Sequence, residues 1–399
     1  MEGLRDRFIR MAKQVDLGFV RYLYNEVKWD QARLIAITGP RGAGKTTMLF
    51  QHILRRYPDL GREVLYVSLD DIYFATNSLV DLADSFYNNG GQLLVLDEVH
   101  KYNTWAREIK NIYDFYPELK IVFTGSSLLK ILQGEADLSR RVTIYKLYGL
   151  SLREFIQYDY GISFNAIGLD ELLKNHVSLS REINAQLKPI AAFSDYLHHG
   201  YFPYYKSEGE LYHGKLLQTI DTILEIDLPA AQQIEYSSIS KIRKLFALLA
   251  KSVPVIPNIS MLSREIGVSR VSLLNYLCYL ERAQLLMLLS KDASGFKPLA
   301  KPEKIYLGNT NYAFALQPKD YNVGNLRETF FFNQLQVKHK VARSDKTDFI
   351  IDGSLSFEVG GKNKDRRQIA DVANGYLAID DIEYGNGNRI PLWMFGFLY

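Results

Sequence analysis

The sequence predicts an α/β fold that begins with a parallel sheet flanked by helices, and three observations in chain order carry that expectation. An apolar run, Leu34-Ile35-Ala36-Ile37, precedes a glycine-rich octapeptide and then the helical stretch Thr47-Met48-Leu49-Phe50-Gln51-His52-Ile53-Leu54. A second apolar run, Leu93-Leu94-Val95-Leu96, ends in the acid pair Asp97-Glu98. The third, Lys120-Ile121-Val122-Phe123, ends in Thr124-Gly125-Ser126-Ser127. Continuous apolar runs of this kind suit strands covered on both faces, and ligands of such sheets lie at the carboxyl ends of the strands.

Each strand end has a chemical meaning. The octapeptide Gly39-Pro40-Arg41-Gly42-Ala43-Gly44-Lys45-Thr46 matches G-x-x-x-x-G-K-[ST] between a strand and a helix, as a P-loop requires. Its glycines let the backbone wrap a polyphosphate with amide N–H groups inward, at the positive end of the next helix. These eight residues, with Thr47, are the expected contacts of ATP: Lys45 reaches the β- and γ-phosphates and Thr46 holds Mg2+. The second run resembles a Walker B strand, in which Asp97 anchors the Mg2+ shell and Glu98 polarises the attacking water. Thr124, Ser126 and Ser127 are all placed to sense the γ-phosphate, and Ser126 is the working choice.

Composition narrows the function classes. Of 399 residues, 47% are hydrophobic and 23% charged, which is ordinary for a globular chain. Forty-eight Lys and Arg against 45 Asp and Glu give +3, too weak a bias to argue for nucleic acid by itself. The single cysteine, Cys278, excludes an internal disulfide framework and a cysteine zinc cluster. The N-terminus lacks an apolar signal core, and no apolar run approaches the ~18 residues of a membrane span, so a cytoplasmic protein is expected.

Strand and helix alternate as far as about residue 155, which sets the expected domains at 1–155, 156–300 and 301–399. Helical periodicity dominates the middle part, as at Ile242, Leu245, Leu248 and Leu249. Ser260 to Ile266, Gly267-Val268-Ser269 and Arg270 to Arg282 read as helix, turn and helix, with Leu262, Ile266, Val268, Val271, Leu274 and Leu277 as their shared core. Two short apolar runs come next, Leu285 to Leu289 and Ile305 to Leu307, separated by Asp292-Ala293-Ser294-Gly295, so a winged helix is expected. Its second helix offers Arg270, Ser272, Asn275 and Tyr279, which serve a partner protein as well as they serve DNA.

These segments together resemble the prokaryotic AAA+-like ATPases that carry a C-terminal DUF4143 region. The resemblance rests on Gly39 to Thr46, Asp97 to Lys101, Phe123 to Ser127 and Leu150 to Phe155, with later agreement at Tyr196 to Pro203, Lys304 to Leu307 and Gly324 to Phe330. It implies an arginine near Ser139-Arg140-Arg141-Val142 that reaches a neighbouring subunit's γ-phosphate, Arg141 first and Arg140 second, and so a homo-oligomer. It also implies a small C-terminal α/β domain of the PD-(D/E)XK nuclease type, with Glu328, Asp348 and Glu358 in order. Gly360 stands where that type needs a lysine. Lys362 shares the strand face but lies about 13 Å from Glu358 along an ideal strand instead of about 7 Å, so only a bend at Gly360-Gly361 returns it. The expected protein is an Mg2+-dependent ATPase that switches with nucleotide state. Its alternative is a regulator that binds DNA or protein with little turnover, or an ATP-regulated nuclease.

Overall fold

The structure, a computed structural model, describes residues 2–126, 138, 140–232, 234–291, 300–318 and 322–399. The chain forms two compact units, Met1–Tyr148 with Ile226–Gln233, and Gly149–Glu225 with Ile234–Tyr399. This differs from the expected three domains. A cut at residue 155 falls inside the helix Leu152–Tyr160, which Ser151 and Glu154 close with a reciprocal capping box. Ser151 Oγ and Arg153 Nε also donate to the carbonyl oxygen of Tyr399, at 2.9 and 2.8 Å. Buried Asn311 accepts from Tyr201 N and Tyr212 OH and donates to the carbonyls of Tyr196 and Leu197, so no boundary separates the middle region from the C-terminal part.

The first unit is an α/β P-loop fold. Strands β1 (Leu34–Gly39), β2 (Val64–Ser68), β3 (Leu93–Asp97), β4 (Lys120–Ser126) and β5 (Thr143–Lys146) form a five-stranded sheet in the order β2-β3-β4-β1-β5. All its pairings are parallel. Leu34 to Ile37, Leu93 to Leu96 and Ile121 to Phe123 are buried throughout, and each such side chain stabilises the fold by about 1.5–3 kcal/mol relative to exposure. After β1 the helix Lys45–Arg56 packs Met48, Leu49 and Ile53 inward. Pro58 stands just past its end, which favours extended backbone at Tyr57.

The second unit holds the helical region and a small sheet domain. The helices Ile259–Ile266 and Arg270–Arg282 flank the turn at Gly267, and β6 (Leu286–Leu289) pairs antiparallel with β7 (Lys304–Leu307). Residues 292–299, between those two strands, lie outside the described residues. Val271 is 55% exposed and not in the core as expected. Ser269 caps the second helix, and with that start the inward stripe runs through Leu273, Leu274, Leu277 and Leu280. The last sheet takes the order β12-β11-β10-β9-β8, from β8 (Val341–Arg343), β9 (Phe349–Ile351), β10 (Leu355–Gly360), β11 (Gly375–Ile379) and β12 (Arg389–Pro391). Phe331, from the helix Val323–Leu335, packs its ring against Phe349, Phe357 and Phe395. Among the described residues no helix is long and apolar enough to cross a membrane.

Candidate functional site

The P-loop connects β1 to the helix Lys45–Arg56. Gly42 and Gly44 take φ of 83° and 92°, left-handed backbone that a side chain would strain. Arg21 donates to the carbonyl of Ala43 and, at 2.9 Å, to that of Tyr148, so a residue well before the motif pins the loop. Lys45 is 6% exposed, and its Nζ donates to the carbonyls of Gly39 at 2.9 Å and Pro40 at 3.0 Å. Burial pushes its pKa down, and the neighbouring Glu98 and Asp97 carboxylates push it back up.

Register brings the acidic strand end to this lysine's neighbour. Thr46 Oγ1 donates to Asp97 Oδ2 at 2.7 Å, and Tyr66 OH, from β2, donates to the same oxygen at 2.7 Å. Because Leu96 pairs with Phe123, the next residues, Asp97 and Thr124, also lie side by side. Thr124 Oγ1 donates to Asp97 Oδ1 and accepts from the backbone N–H of Glu98 at 3.2 Å. Of the three hydroxyl candidates, Thr124 is therefore the one seen at the acid pair. Ser126 ends β4 opposite Gly39, but its side chain and all of Ser127 lie outside the described residues.

Glu98 adopts left-handed backbone, φ 53°, uncommon for a side chain of this size and frequent where function fixes a conformation. Burial raises its pKa, opposed by Lys45. The His100 imidazole sets Nε2 3.3 Å from Glu98 Oε2 and 4.0 Å from an oxygen of Asp227. Burial lowers the His100 pKa to about 4, so the ring is neutral at neutral pH.

Asp227 is the residue that sequence reasoning missed. It returns to the first unit with the short segment Ile226–Gln233 and is 3% exposed. Its carboxylate lies 3.5 Å from Arg41 Nε of the P-loop and 3.5 Å from Lys101 Nζ. No motif marks it. Arg141 is tied to its own unit, with Nε and Nη2 donating to the two carboxylate oxygens of Asp114 at 2.9 and 3.1 Å, while Arg140 is exposed at the same turn.

In the second unit, Lys304 Nζ and Tyr306 OH donate to Glu328 Oε2 at 2.5 and 2.8 Å. Asp348 and Glu358 each accept from the other segment's backbone: the Val359 amide reaches Asp348 and the Asp348 amide reaches Glu358. Lys364 Nζ lies 2.7 Å from Glu358 Oε1. The chain does bend after β10, but it returns Lys364 and leaves the expected Lys362 exposed. A Cβ at Gly360 would meet Lys364 Cδ at 2.6 Å, so the glycine makes room for the lysine stem. Two of the three carboxylates thus already hold lysines, and among the described residues no three His, Cys, Asp or Glu side chains gather closely enough to hold a metal ion.

Residues 31–156, which carry the parallel sheet and the P-loop, match the family model described as AAA domain. Residues 190–320 match a domain of unknown function, DUF8612. That match covers most of the middle region, runs on to residue 320, and is a different family from the DUF4143 region that the sequence resemblance implied. The chain is 26% identical over 313 residues to the uncharacterized protein MJ1637 of Methanocaldococcus jannaschii, spanning 75% of this chain and 66% of the relative, just under two thirds of its length. Among solved structures it is similar to AMPPCP-bound DnaA from Aquifex aeolicus, at 18% identity and TM-score 0.28 over 70% of this chain and 88% of that one. PCH-2 of C. elegans is similar at 17% identity and TM-score 0.26, covering 70% and 67% of the two chains.

Proposed function

We propose that the chain is an Mg2+-dependent ATPase that acts as a nucleotide-driven switch. The observation that carries the reading is the 2.7 Å hydrogen bond between Thr46 and Asp97, which joins the P-loop to the acid pair at the ends of two parallel strands. A hydroxyl and a carboxylate are the hard oxygen donors Mg2+ prefers, so the residues fit the ion. When bound, Mg2+ supplies neutralisation of phosphate charge. The chain's own groups do the rest: the P-loop amides and Lys45 orient the polyphosphate, and Glu98, its basicity raised by burial, takes a proton from the attacking water. Thr124 holds Asp97 and the Glu98 backbone in one arrangement. Turnover by wild type against Glu98→Gln tests the reading.

In the same proposal Arg141 leaves Asp114 and serves a neighbouring copy's site, which makes the working form a homo-oligomer in the cytoplasm. The second reading is a regulator that holds nucleotide with little turnover. It draws support from Met261 and Val271, 49% and 55% exposed on the helix-turn-helix, where apolar exposure suits a partner protein better than DNA. ATP turnover in wild type no greater than in Glu98→Gln favours this second reading. The C-terminal sheet then offers partner protein or nucleic acid a binding platform.

A further inference from the structure

The segment around Asp227 has no part in the hydrolytic scheme, yet it places a buried carboxylate beside Arg41 of the P-loop and Lys101 beyond β3. Asp227, Arg41, His100 and Lys101 all belong to the first unit, whereas the chain on either side of Ile226–Gln233 belongs to the second. Both cation contacts are 3.5 Å, longer than the ~2.7–2.9 Å of a tight charge-assisted hydrogen bond. A buried carboxylate depends on such partners, so anything that takes Arg41 or Lys101 from it loosens the segment. His100 stands between Asp227 and Glu98, which puts Asp227 on the side of the site where the terminal phosphate is expected.

Resting on the nucleotide-site reading above, we infer that Asp227 is an internal anion that occupies Arg41 and Lys101 and is displaced when a nucleoside triphosphate binds. The triphosphate carries more charge than one carboxylate and repels it at close range. Asp227 ends a π-helical turn, Ile223–Asp227, between the helices Tyr212–Thr222 and Leu228–Gln232. A π turn accommodates one residue more than an α turn, and its removal rotates the helix after it by about 100°. Release of Asp227 therefore has a built-in route: without its cations the turn loosens, and the carboxylate withdraws as the helix after it turns. Because that segment is spliced into the second unit's chain, the occupancy of the phosphate site reaches the second unit through the backbone. By linkage, whatever Asp227 loses on triphosphate binding is the affinity its charge withholds.

The test uses the full chain with Mg2+ and either AMPPCP or ADP. Asp227→Asn should bind AMPPCP about tenfold more tightly than wild type, with a smaller change for ADP. In wild type, AMPPCP should speed hydrogen exchange at the amides of Ile226, Asp227 and Leu228. Equal or weaker AMPPCP affinity in Asp227→Asn, or slower exchange in wild type, overturns the latch. If the variant fails to fold, the wild-type exchange decides alone. A wild type that binds no AMPPCP at all overturns the nucleotide-site reading, and the latch with it.

Discussion

Thr46 and Asp97 stand 51 residues apart in the chain and share a 2.7 Å hydrogen bond, while the second oxygen of Asp97 is held by Thr124. Asp97 is thus clasped from the P-loop on one side and from β4 on the other, and it is 3% exposed. Thr124 in turn accepts from the backbone N–H of Glu98, so hydrogen bonds run from the P-loop through Asp97 to Glu98.

Lys45→Ala should weaken ATP binding by at least about tenfold, since the ammonium is replaced by nothing that meets phosphate. Glu98→Gln should keep ATP bound and lower turnover by about 10²–10⁴, the range for removing a general base. Calorimetry and a steady-state assay check the pair. Equal ATP affinity in Lys45→Ala and wild type sinks the site assignment.

Thr124→Val keeps the shape but removes a hydroxyl that both donates to Asp97 and accepts from Glu98 N. A buried polar group left without its partner costs about 1–3 kcal/mol. Thermal unfolding should show that loss, and turnover should fall as well. Unchanged stability with unchanged turnover removes Thr124 from the site.

The first-unit site was legible because its chemistry is contiguous: strand, glycine loop and lysine are consecutive, and an apolar strand announces Asp97 and Glu98. Asp227 was not legible because it reaches Lys101 across 126 residues from an unmarked helical stretch. Lys364 escaped for a different reason. An ideal strand was extended past Gly360, whereas the Lys364 amide bonds to the Gly361 carbonyl at 2.9 Å and turns the chain. Edge strand β5 is half exposed along its length, so no apolar run disclosed it.

If Arg141 acts in a neighbouring copy, specific activity rises with protein concentration. Arg141→Ala mixed with Glu98→Gln should then recover activity, since each supplies what the other lacks. Asp114→Ala frees the guanidinium from its present fork and should leave activity intact or higher. Concentration-independent activity with no recovery on mixing rejects the finger in trans.

Asp348 gives a pH signature. Burial, with Glu328 and Glu358 nearby, raises its pKa from 3.8 to about 6. The folded state therefore holds the proton more tightly than the unfolded chain. Stability is favoured below the unfolded pKa and is lost as pH rises through about 6. Asp348→Asn keeps an acceptor for Val359 N and should stabilise the fold at pH 7 by on the order of 1–2 kcal/mol, after allowance for solvent screening. The gain should vanish near pH 4. Denaturant melts at both pH values measure it, and an equal gain at each removes the ionisation argument.

The C-terminal cluster should not cleave DNA. Lys364 occupies Glu358 at 2.7 Å and Lys304 occupies Glu328, so two of the three carboxylates already have their counter-charges. Removing a lysine should then act on stability. Lys364→Ala leaves Glu358, whose side chain is 8% exposed, without its cation. Because Lys364 itself is partly solvated, the cost should be about 1–3 kcal/mol, below the range for breaking a fully buried pair. Thermal melts of Lys364→Ala and of the exposed Lys362→Ala separate the two lysines, since only the first should fall. Plasmid incubated with wild type in Mg2+ or Mn2+ should remain supercoiled. Cleavage by wild type that is lost in Glu358→Ala and Lys364→Ala, but kept in Lys45→Ala, would show instead that Lys364 polarises an attacking water and that the cluster is a working nuclease site.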